Sequence, residues 1–221
     1  MVLAAYGKTM GLVGATSPEA SKDAPVAARS PEAEALDRLK SGLRTNRKTQ
    51  IGEAKARARE KLQRVIEKMK LLKKLYANDP KAMAKALAAV AKELQGAVKA
   101  YGKAAKDAGE MFKADFAAAP DASLTPDQQA AARKDLEDQA KGEASGDMDF
   151  IKSVRALSKA LKDELQTAKT KGVLTQPGKF ERSDEVKDAE DGLKDLDQMT
   201  EDLDTQIRQD MPPGSLMKLA A

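Results

Sequence analysis

The 221-residue chain contains no cysteine, no histidine and no tryptophan, and aromatic residues make up only 3% of it. Without cysteine there are no disulfides, zinc–thiolate sites or thiol nucleophiles. Without histidine the usual general base near neutral pH, imidazole metal ligands and Ser-His-Asp triads are also missing. Carboxylates, lysines, tyrosines and hydroxyls remain, a set that is harder to tune for catalysis. Composition therefore argues against an enzyme, and no catalytic residue, metal ligand or cofactor is assigned. No apolar run approaches the roughly 20 residues of a membrane-spanning helix. The opening MVLAAYGKTMGLVGATSPEASKDAP lacks a charged stretch ahead of its apolar residues, unlike a secretory signal. The expected compartment is the cytoplasm, with leaderless export as a helical-hairpin subunit or toxin-like protein the alternative.

What the chain does have is alanine, lysine, leucine and acidic residues, with 33% of positions charged. That composition belongs to long helices, and small side chains fill narrow helix–helix seams rather than wide cores. Four places pair a capping residue with proline at the first helical position: Ser17-Pro18, Ser30-Pro31, Asp79-Pro80 and Thr125-Pro126. The cap oxygen accepts from free backbone N–H groups, and proline has no N–H to leave unsatisfied. Gln128 adds a capping box to the last of these.

Apolar residues then recur alternately four and three apart. The first seam is Ile51, Lys55, Ala58, Leu62, Val65, Met69, Leu72, Tyr76, and the second is Met83, Leu87, Val90, Leu94, Ala97, Tyr101, Ala104, Ala108, Met111. A 3.5-residue period sustained over several heptads predicts coiled-coil packing. The short link between the two seams predicts an antiparallel hairpin. The expected fold is all-α, an elongated antiparallel helical bundle of about four long helices built on coiled-coil hairpins. Residues 1–29 read as a flexible leader, 30–210 as the bundle and 211–221 as a tail. Within the bundle, helices are expected over 31–43, 50–77, 80–117, 126–171 and 184–210. Within the KGEASGD stretch from Lys141 to Asp147, residues 142–147 read as a weak point in the fourth of these, and Gly172 as its C-terminal stop. Gly102 and Gly109, one heptad apart, offer a close helix approach.

Charge is unevenly distributed. From Arg38 to Lys74, fourteen Lys or Arg stand against three Glu, a net +11; residues 181–210 hold twelve acids against four bases, a net −8. Two interaction faces follow. The basic one comprises Arg57, Arg59, Lys61, Arg64, Lys68, Lys73 and Lys74; the acidic one comprises Asp184, Asp188, Glu190, Asp191, Asp195, Asp197 and Asp204. Three uses compete: pairing of the first helix with the last inside one chain, pairing between copies, and binding of nucleic acid or another phosphate surface. The basic residues spread around the helix and carry no base-reading motif, which weakens the third. Aligning Gly192 with the glycine of a calcium loop puts Lys187, Ala189 and Gln198 at ligand positions, so that motif fails. The expectation is a non-catalytic scaffold or assembly subunit with a protein partner or a second copy of itself, and nucleic-acid association is the runner-up.

Overall fold

A computed structural model of the chain describes residues 31–118, 124–175 and 178–210. Four helices are present: α1, Pro31–Leu75; α2, Pro80–Ala117; α3, Pro126–Thr175; and α4, Asp184–Asp210. The chain divides into two compact units at Gly42 and Leu43. The first contributes residues 31–42 of α1, and the four-helix packing belongs to the second. The fold is an all-α bundle. The leader, Ser17-Pro18 and the tail lie outside the described residues.

Three of the proline starts open helices, at Pro31, Pro80 and Pro126. Asp79 accepts from the backbone N–H of Ala82 at 2.9 Å. Thr125 and Gln128 form the reciprocal capping box, at 3.3 and 3.0 Å. Each cap satisfies backbone donors that the first helical turn leaves free.

The direction of each helix follows from its contacts. Lys68 of α1 faces Glu93, and Arg44 meets Asp115, so α1 and α2 run antiparallel. Gly102 and Gly109 of α2 lie against Leu203 and Asp210, so α2 and α4 run parallel. Arg155 pairs with Asp204 and Lys169 with Glu190, so α3 and α4 are antiparallel. The topology is up-down-up-down. Helices α2, α3 and α4 approach one another closely, whereas α1 has no comparable backbone approach to any of them. Helix α1 lies along α2 and α3, pairing through Arg44 with Asp115 and through Lys73 with Glu164.

Side-chain size explains these separations. Along α2 a row exactly seven apart, Ala84, Ala91, Val98 and Ala105, is buried together with Gly109. Gly192 of α4 sits against Ala91, and the Gln95 amide donates to the Gly192 carbonyl at 2.7 Å. Facing α2 and α3 from α1 are Leu62, Val65, Met69 and Leu72, whose bulk holds the backbones apart.

Two expected interruptions are absent. Helix α1 is continuous from 31 to 75 rather than split between 43 and 50. No proline interrupts 44–49, and Thr49 and Gln50 bond back to the Thr45 carbonyl and the Asn46 side chain. Helix α3 runs through 142–147 without a break. Two glycines there cost about 1 kcal/mol each relative to alanine, and tertiary contacts at Gly146 and Asp147 outweigh it. Nor does Gly172 end α3, which continues to Thr175. A side chain at Gly172 would overlap the ring of Phe180. This glycine makes room for the aromatic that ties the loop into α4 onto the core.

Candidate functional site

The basic face of α1 is largely engaged within the fold. Arg57 pairs with Glu53 at 2.8 Å and Arg64 with Glu60 at 3.8 Å, each one helical turn apart. Lys68 pairs with Glu93 of α2, and Lys73 with Glu164 of α3 at 2.8 Å. Arg59 donates to the Tyr101 hydroxyl at 2.9 Å and to the Gly146 carbonyl at 3.1 Å. Of the seven, Arg59 is held without a carboxylate, and Lys61 and Lys74 have no hydrogen-bond or ion-pair partner among the described residues. Glu53, Glu60 and Glu67 recur seven apart on the exposed side of the same helix. The +11 of this segment therefore does not form a continuous cationic surface.

The acidic residues of α4 separate into two rows. Glu190, Asp197 and Asp204 bind Lys169, Lys162 and Arg155 of α3. Ser158 also donates to Asp197, at 2.7 Å. Arg208 adds a second contact to Asp204 at 2.8 Å. Partial burial alone would raise the Asp204 carboxyl, but the hydrogen bonds from Arg155 and Arg208 prevail and hold it below the usual range. These acids are matched inside the chain, by α3 rather than by α1. The second row, Asp184, Asp188, Asp191 and Asp195, is exposed, and none of the four has an ion pair among the described residues. Their spacings of four, three and four put them on one side of the helix, over about 16 Å. Among the described residues no three acidic side chains gather in an arrangement that could hold a metal ion.

A buried ion cluster, which the sequence reading did not foresee, fastens α1 to the bundle. Lys55, at 3% exposure, occupies a seam position that heptads normally give to an apolar side chain. Its ammonium donates to Asp147 at 2.6 Å and to Glu143 at 3.0 Å. Asp147, also buried, accepts from the Tyr101 hydroxyl at 2.8 Å. The Tyr101 ring stacks on Phe150 at 3.7 Å, with the Lys55 and Arg59 cations 5.7 and 5.5 Å from its centre. A side chain at Gly146 would press on the Arg59 guanidinium, so the suspected weak point of α3 is the contact surface of this cluster. Burial, then the charge and hydrogen bond of Asp147, push the Tyr101 phenol well above its usual value, with Arg59 pulling weakly the other way. Below the cluster, Ile51, Ala108 and Met111 form a small apolar group separate from the main core. Such a polar layer fixes helix register, because any slip leaves a buried charge without its partner.

Lys55 was visible in the sequence as a polar residue in an apolar seam. Asp147 was not, since it lies 92 residues away. The chain matches no protein-family model, no curated protein and no solved structure. Among the described residues no helix is long and apolar enough to cross a membrane.

Proposed function

We propose that this chain is a non-catalytic helical scaffold or assembly subunit that works through charge-complementary contacts with other protein surfaces. The observation that carries the reading is the exposed row Asp184, Asp188, Asp191 and Asp195, four carboxylates in line on one helix and without a paired cation among the described residues. Rows of like charge along a helix select partners by repelling the wrong ones and steering the right ones, even where each pair adds little stability. Nucleic-acid association is the less favoured reading, because five of the seven α1 cations are already engaged within the fold.

A photo-crosslinking residue at position 191, activated in cells, tests this. The expected products are discrete protein adducts, lost when Asp188 and Asp195 are changed to Lys while the melting temperature holds. Adducts to nucleic acid, or an adduct pattern indifferent to those substitutions, would overturn the reading.

A further inference from the structure

We propose that α1 is an exchangeable helix. It leaves the groove between α2 and α3 as a unit, and the α1 of a second copy takes its place, giving a domain-swapped dimer hinged at residues 76–79. The inference rests on the assembly reading above and names a route by which copies associate.

Three observations carry it. Helices α2, α3 and α4 hold one another by close backbone approach, and α1 takes no part in that set. When α1 leaves, those three pairings remain, so its departure is a local opening rather than loss of the whole fold. Secondly, the α1 contact contains the Lys55–Asp147 pair, whose two charges are costly to bury and recover their hydration together when the helices part. Thirdly, the groove is lined with acids that match α1 from Arg44 to Lys73. Asp115 takes Arg44, Glu143 and Asp147 take Lys55, Glu93 takes Lys68 and Glu164 takes Lys73.

That complementarity identifies the occupant. The partner needs cations in this order along one helix, with a lysine at a seam position, and a second copy carries all of them. The connection is short, from Tyr76 to the Asp79 cap. Its backbone bonds run from Tyr76 to Leu72 and from Asp79 to Tyr76, with one side-chain tie from Lys171 to the Ala77 carbonyl. Exchange loses the turn and remakes every α1 contact between chains, which is why swapping is a low-cost route to a dimer.

Two full-length variants test it. In Lys55→Asp the chain's own α1 meets like charge at Asp147, and in Asp147→Lys the groove repels its own Lys55. Exchange between the two chains gives opposite charges at both grooves. Each variant alone is expected to melt well below the wild type. A 1:1 mixture refolded from urea is expected to give a heterodimer of doubled mass by light scattering, with most of the lost melting temperature restored. A mixture that stays monomeric, or is no more stable than its components, overturns the proposal.

Deleting Ala77 and Asn78 from an otherwise native chain supplies an independent measurement. The swapped form needs no reversal there, so a dimer with wild-type helicity is expected; a folded monomer or an unfolded chain overturns the proposal. If crosslinks form through the acidic α4 row but neither experiment shows exchange, this inference falls and the assembly reading stands. Exchange without protein adducts at α4 would do the reverse.

Discussion

Helix α2 is held in two contrasting ways. Against α4 it presents alanine and glycine, the backbones come close, and the Gln95 amide reaches the Gly192 carbonyl directly. Against α1 it meets the larger side chains Leu62, Val65, Met69 and Leu72 of that helix at wider separation, with an ion cluster set into the seam. The first contact gains its stability from many short dispersion contacts and has no buried charge pair to compensate. The second gains register at the expense of stability, because ionic groups in a core contribute less than well-packed apolar side chains would. One helix can thus carry a permanent face and a conditional one.

Leu94→Asp should show the largest effect. It puts an uncompensated charge at a fully buried position of α2 and is expected to abolish the helical circular dichroism signal. Val65→Asp on α1 is expected to leave a substantial fraction of that signal, with hydrogen exchange accelerated in 51–72 first. Equal loss in both variants would mean that the two faces form one cooperative unit.

Next comes Lys55→Met, which leaves Asp147 buried opposite an apolar chain and should cost about 3–5 kcal/mol in urea denaturation. Adding Asp147→Leu to Lys55→Met removes the orphaned charge and should recover most of that loss. A double variant as unstable as the single one would show that the cluster stabilises the fold rather than setting register.

The pH response comes third. Folding raises the Tyr101 phenol above its unfolded value of about 10. Its contribution is therefore complete below pH 10 and lost progressively as pH climbs through and beyond that value. In a chain with Tyr6 and Tyr76 changed to Phe, the tyrosinate absorbance near 295 nm is expected to appear only together with unfolding. Ionisation at about pH 10 with the fold intact would place Tyr101 outside the cluster.

The smallest effect tests the outer surface of α1. Arg57→Ala breaks an exposed pair with Glu53 and should change stability by no more than about 0.5 kcal/mol. A larger loss would mean that this face is less independent of the bundle than its exposure implies.

Where caps and heptads spoke, the fold was legible. Asp79-Pro80 and Thr125-Pro126 marked helix starts by satisfying backbone donors locally, and the seam residues from Ile51 to Leu72 and from Met83 to Met111 are buried. Local chemistry misled at 44–49 and 142–147, where polar and glycine-containing stretches sit inside continuous helices. Propensity there is weak, and partners 87 to 92 residues distant decide the outcome at Gly146 and Asp147. The second face of α2 was missed for another reason: alanine favours helix whether buried or exposed, so Ala84, Ala91 and Ala105 gave no sign of facing a neighbour. The acidic row of α4 was legible as a pattern. Its division into a row matched by α3 and a row left open required knowing which helix lies alongside.

The Tyr101–Asp147 hydrogen bond has an optical consequence. The chain has no tryptophan, so its intrinsic ultraviolet emission comes from three tyrosines. A phenol that donates to a carboxylate while stacked on another ring emits weakly, and Tyr101 does both. Separation of α1 from the bundle removes Lys55 and Arg59 from around that ring, and complete unfolding removes Phe150 and Asp147 as well. The protein therefore carries a built-in emission signal whose two changes, one for each event, can be followed without any attached dye.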